Sequence, residues 1–140
     1  MNNYWLNQDG DNGEFWAHEW DKHGTCVSTI DPSCYGNSYK PQEEVGDFFQ
    51  KVVDLYKGLN TYQALSKAGI TPGQSYSLSD VENALSQMHG AKPYLGCESG
   101  KLSQIYYYFV VKGNAITGQY KAVDSSKSFI PLHTLPFPLC

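Results

Sequence analysis

Several things are missing from this sequence, and each absence removes a class of function. No stretch of about 18 apolar residues occurs, so no segment is long and apolar enough to cross a membrane as a helix. Met1 is followed by the polar Asn2 and Asn3 and by Tyr4, without the apolar core of a secretion signal. The 4 cysteines include no CxxC spacing, which leaves neither a zinc ribbon nor a thioredoxin-like pair. Positive charge is scarce: Lys and Arg total 10 against 14 Asp and Glu, for a net charge of -4 and a pI of 5.4. That sign excludes a protein that holds nucleic acid through a broad basic surface. No internal repeat and no linker is visible.

What remains is globular and aromatic. Hydrophobic residues make up 41% and charged ones 17%, with 11 Tyr, 6 Phe and 3 Trp. A length of 140 residues suits a single domain over 1–140. Protonation of all 4 His would raise the charge from -4 to about 0 near pH 5. An enzyme acting on a polyanion in an acidic setting therefore stays open. Connections rich in Asn, Gly, Ser and Tyr, with Cys140 at the last position, fit a secreted, disulfide-stapled protein.

The periodicities predict an α+β protein, an antiparallel sheet packed with several helices. Residues 1–13 read as a loop and 14–25 as a short helix. Residues 28–40, with Asp31-Pro32 and Gly36, read as irregular chain. Val45, Phe48, Phe49, Val52, Leu55 and Tyr56 recur at helical spacing between Pro41 and Lys57-Gly58. A short helix is expected over Thr61 to Ala68, ended by Gly69. Another follows a capping box of Ser79 and Glu82 and is closed by Gly90. Gln104 to Lys112 is β-branched and aromatic on both alternating faces, as in a central strand covered on two sides. Gly113-Asn114 offers a two-residue hairpin turn, with Ala115 to Val123 returning antiparallel. The proline-rich tail after Phe129 cannot be regular for long.

Chemistry concentrates in one segment. On a helix at about 100° per residue with Phe15 at zero, His18 falls near 300°, Lys22 near 340°, Glu19 near 40° and His23 near 80°. Trp16 and Trp20 lie at about 100° to 140°, on the flank of that face. Two imidazoles, a carboxylate and an ammonium on one short face suit phosphoryl chemistry. A histidine takes a proton from an attacking hydroxyl, while a lysine and a protonated histidine hold the charge that builds on phosphate oxygens. Contacts at i,i+4 from Glu19 to His23 and from Lys22 to His18 would orient the set. The bland alternative is a solvated helix with two core tryptophans. A zinc protease of the HExxH type needs histidines at i and i+4, whereas His18 and His23 are at i and i+5. Cys26 as a nucleophile has no base arranged for it.

Phe15 to Cys26 reads FWAHEWDKHGTC, and this run resembles the second active-site segment of the ribonuclease T2 family. Cys34, the aromatic helix after Pro41, the Leu95-Gly96-Cys97 segment before a tyrosine-rich strand, and the terminal cysteine extend the resemblance over the whole chain. It implies a ribonuclease T2-like fold, truncated at its N-terminus, and a secreted, monomeric endoribonuclease. The implied reaction is a cut of single-stranded RNA without a metal, a cofactor or a membrane: the 2'-hydroxyl attacks phosphorus, leaving a 2',3'-cyclic phosphate that is then hydrolysed to a 3'-phosphate. By position, His23 would be the acid/base histidine, Glu19 and Lys22 would stabilise the pentacoordinate phosphorus, His18 would bind phosphate, and Phe15 would stack on a base.

The resemblance also implies departures. Family members carry an earlier His-Gly-Leu-Trp-Pro type segment with the partner acid/base histidine, and no histidine precedes Phe15 here. His89, followed by Gly90, Ala91, Lys92 and Pro93, looks superficially similar but lies after the catalytic helix, where a helix-dipole contact explains it. His133 reads as a surface residue. Cys97 and Cys140 match the family's C-terminal disulfide. Cys26 and Cys34 match cysteines whose partners lie upstream, so here they would be free, mispaired or bonded to each other. Two functions follow as expectations: an endoribonuclease impaired in this polypeptide, or a non-catalytic secreted protein that binds RNA or another partner on the same scaffold.

Overall fold

A computed structural model describes residues 1–125; the proline-rich tail, with His133 and Cys140, lies outside the described residues. The chain divides into two compact units. Among the described residues, the first comprises Met1–Lys57 with Val111–Gln119, and the second Gly58–Val110 with residues 120–125.

In the first unit, helix α1 runs Asn12–Lys22. It starts there because the Asp11 carboxylate accepts the Glu14 N–H at 3.0 Å, and Glu14 places a negative charge in the first turn. The helix expected over 14–25 therefore begins earlier and stops at Lys22, with 3-10 turns at Gly24–Cys26, Ser28–Ile30 and Pro32–Ser38. The last two occupy the stretch expected to be irregular. Asp31 accepts the Ser33 N–H at 2.9 Å, and Pro32 pre-sets the backbone behind it.

Helix α2 covers Glu43–Lys57, with Glu43 and Glu44 in its first turn and Lys57 in its last. Its buried stripe, Phe49 and Val53, stabilises the unit by roughly 1.5–3 kcal/mol per side chain. Aromatic rings pack around it: Trp5 meets Phe49 edge-on at 5.0 Å and Trp20 meets Phe48 edge-on at 5.6 Å. The Trp16 indole N–H donates to the Trp5 carbonyl at 2.8 Å, and the Tyr35 hydroxyl donates to Asp47 at 3.0 Å. Burial first, and then that bond to Asp47, hold the Tyr35 phenol above its ordinary ionisation range.

The second unit holds α3 (Thr61–Lys67) and α4 (Leu78–His89). Asn60 caps α3 through the Gln63 N–H. The capping box expected at Ser79 is displaced: Ser77 is the N-cap, accepting the Asp80 N–H at 3.1 Å, and Ser79 binds Ser77 through their hydroxyls. Gly90 closes α4 in the left-handed conformation at φ 83°, as its position predicts. Leu85, Ala84 and Pro93 are buried, and His89 joins them at 9% exposure. The His89 ring sits edge-on between Tyr107 and Phe109, and its Nε2 lies 3.1 Å from the Tyr108 carbonyl. The helix-dipole explanation is thus replaced by a packed, hydrogen-bonded core histidine.

Strands β1 (Tyr94–Glu98) and β2 (Lys101–Tyr106) pair antiparallel, Tyr94 opposite Tyr106, through a turn at Ser99 and Gly100 with φ of 50° and 74°. Positive φ at both turn residues matches the twist of the strands. The expected single strand Gln104–Lys112 is instead broken at Tyr107, and its second half forms β3 (Tyr108–Lys112), paired with β4 (Gln119–Val123). The break follows from Tyr107, whose ring packs on His89 and whose hydroxyl meets Thr61 at 2.9 Å. Neither half is covered on two sides, since Tyr106, Tyr108 and Val110 are exposed.

The turn expected at Gly113-Asn114 is a longer loop over residues 113–118. Asn114 accepts the Ile116 N–H at 2.7 Å and donates to the Thr29 carbonyl at 2.6 Å, while the Ala115 N–H donates to the Thr29 hydroxyl at 3.0 Å. Anchoring to Thr29 outweighs the tight turn.

Candidate active site

Helix α1 brings Phe15, His18, Glu19 and Lys22 to one face, and His23 follows as its C-cap. His23 has left helical geometry, at φ -123° and ψ -46°, so the angle drawn for it on a regular helix holds only approximately. Its N–H still binds the Glu19 carbonyl at 3.0 Å, which keeps it one turn from Glu19. His18, Lys22 and His23 are exposed, while Glu19 and Phe15 are half-buried. Lys22 lies in the last turn, where the helix dipole favours a cation.

The expected side-chain contacts from Glu19 to His23 and from Lys22 to His18 are not made. Among the described residues, no hydrogen bond or ion pair engages these four side chains, and the single ion pair joins Lys92 to Glu82 at 3.0 Å. The ionisable face is thus presented open, with its donors and acceptors uncommitted. The tryptophan flank does the holding, as the angular sorting predicts. A cavity of about 640 Å³ lies on that flank, lined by Trp16, Ala17, Trp20, Asp21, Glu44 and Phe49. None of the four ionisable candidates borders it.

Three further residues shape the site. Gly24 is buried, and a Cβ there would fall under 3.0 Å from the Trp20 ring. The Thr25 hydroxyl donates to the Asp21 carbonyl at 2.9 Å, and the Cys26 thiol to the Lys22 carbonyl at 3.6 Å. A glycine straight after the last helical positions was a visible stop signal. Its partner, Trp20, was not readable from periodicity alone.

Of the three states expected for Cys26, the structure shows the free one. Cys26 is a free, exposed thiol, so it is not bonded to Cys34. Cys97 is also a free, exposed thiol, beside the irregularity between Gly96 and Cys97; Cys140, the partner implied for it by the resemblance, lies outside the described residues. A disulfide requires Cα atoms within about 7 Å, a proximity that the matching positions alone do not supply.

Residues 1–128 match the Ribonuclease T2 family. The chain belongs to the ribonuclease T2 family. Its relatives include ribonuclease T2 of Aspergillus oryzae, 56% identical over 131 residues that make up 91% of this chain and 47% of that protein. Ribonuclease M of Aspergillus phoenicis is 60% identical over 129 residues, 89% of this chain and 54% of that protein. The crystal structure of Actibind, a T2 ribonuclease, is similar with a TM-score of 0.84 at 58% identity, covering 89% of this chain and 54% of the Actibind chain. The chain spans about half the length of the curated relatives it matches. The α+β architecture is therefore that of a T2 ribonuclease, with the FWAHEWDKHGTC segment on α1 and the turn after it.

Proposed function

We propose that the α1 face carries endoribonuclease chemistry on single-stranded RNA by transphosphorylation. The observation that carries this reading is the uncommitted face itself: His18, Glu19, Lys22 and His23 stand together on α1 and its cap, with no side-chain partner among the described residues. His23 takes the proton from the 2'-hydroxyl as the 2'-oxygen bonds to phosphorus. The bond from phosphorus to the 5'-oxygen breaks, and that oxygen leaves with a proton from a second acid. Glu19 and Lys22 stabilise the pentacoordinate phosphorus, His18 holds a phosphate oxygen, and Phe15 stacks on a base. The 2',3'-cyclic phosphate is hydrolysed afterwards to a 3'-phosphate. No metal takes part in this scheme.

Sequence similarity to the fungal enzymes supports an extracellular protein. The test is cleavage of single-stranded RNA beside 2'-O-methyl RNA of the same sequence, in chelator. Cleavage of the first and binding without cleavage of the second are expected. Equal cutting of both would refute the 2'-oxygen as nucleophile, and binding of both with no cutting at all would favour the non-catalytic RNA-binding reading.

A further inference from the structure

We propose that Trp20 and Gly24 are positioning residues that set where His23 stands beside Glu19 and Lys22. The inference deepens the ribonuclease reading and rests on it for its activity readout only. His23 is the residue at which the chain leaves α1, and its geometry is set from both sides. Its N–H is held by the Glu19 carbonyl at 3.0 Å, its carbonyl accepts the Cys26 N–H at 3.3 Å, and the Gly24 carbonyl accepts the Val27 N–H at 3.0 Å. The Thr25 hydroxyl on the Asp21 carbonyl ties the outgoing turn back to the helix.

This departure needs room. Gly24 is buried against Trp20, with the ring atoms Cε3, Cζ3 and Cδ2 all under 3.0 Å from where a Cβ would stand. The Trp20 ring is itself fixed edge-on against Phe48 at 5.6 Å. Gly24 does not have a positive φ, so its backbone accepts an ordinary residue and the objection to a side chain is contact with the ring. A methyl group at residue 24 must push either Trp20 off Phe48 or the His23 turn off α1. Displacing an acid/base group by about 1 Å can lower a rate on the order of 10²-fold, which makes this contact a determinant of the reaction as well as of packing.

The test compares the wild-type chain with Gly24→Ala, Trp20→Phe, Thr25→Val and the double variant Gly24→Ala with Trp20→Phe. Each is followed by kcat and KM on single-stranded RNA and by NMR of the His23 ring in the free protein. Gly24→Ala should move the His23 ring signals and lower kcat by roughly tenfold or more, with KM within about twofold. The smaller phenyl ring introduced by Trp20→Phe should clear the contact, so the double variant recovers His23 signals and kcat to within about threefold of Trp20→Phe alone. If Gly24→Ala does not fold, Thr25→Val carries the test, with a smaller shift of the same His23 signals. The proposal is overturned if the folded variants leave the His23 signals unmoved, or if the double variant stays as impaired as Gly24→Ala. Absence of RNA cleavage by every chain, wild type included, would count against the ribonuclease reading, while the NMR comparison still decides the positioning claim.

Discussion

Two histidines five positions apart on one segment stand at different places on the backbone. His23 sits where the backbone leaves α1, and His18 projects from the helix body; both are exposed and neither is tied to a protein partner among the described residues. If His23 moves the proton and His18 holds phosphate, the two substitutions should separate kinetically. His23→Gln is expected to lower kcat by about 10²- to 10⁴-fold with little change in KM. His18→Gln is expected to act mainly on KM. Steady-state kinetics on a dinucleoside phosphate would measure both, and equal effects of the two on kcat alone would contradict the assignment. The shared placement of these residues with Glu19 and Lys22 was legible in the sequence because charge on one helical face is conspicuous. The lack of a Glu19 to His23 contact was not, because i,i+4 spacing makes a contact possible without choosing the rotamers that form it.

At the scale of elements, helices were easier to foresee than their ends. Phe49 on α2 and Leu85 on α4 belong to runs of helical period legible in the sequence and are buried, whereas Val53, buried too, stands outside the run and Tyr56 within it is exposed. The ends depend on single side chains competing for the same N–H groups. Ser77 and Ser79 each have an acidic residue three positions on, and the sequence alone points to Ser79 while the chain uses Ser77. Ser77→Ala should therefore cost about 1 kcal/mol of stability, and Ser79→Ala no more than a few tenths. Urea denaturation of the two variants would check this, and the reverse order would contradict the cap. The strand run failed for a related reason. Alternation of aromatic and β-branched residues from Gln104 to Lys112 reads as continuous, but Tyr107 is drawn to His89 and Thr61, contacts 18 and 46 positions away along the chain. Periodicity carries no term for such distant partners.

For the whole molecule, the α+β class was readable from the helix and strand periodicities and family membership from one dense motif, whereas the state of the cysteines was left open. Cysteine position shows which family a thiol resembles, whereas a bond depends on a proximity that position in the sequence does not fix, and Cys26 and Cys97 are free thiols. A net charge of -4 also bears on the proposed mechanism, because an acidic chain that takes RNA must attract it at a local patch instead of through its overall field. On that reading the open face of α1 around Lys22 would be the patch. The proposed role of this face is to make and break bonds at phosphorus through the neighbouring 2'-oxygen. Its most direct measurement is a ³¹P NMR time course of a dinucleoside phosphate with the 140-residue chain in excess chelator. A 2',3'-cyclic phosphate signal should appear before any 3'-phosphate and be lost with His23→Gln; 5'-phosphate products, or a cyclic signal unchanged in that variant, would rule this reaction out.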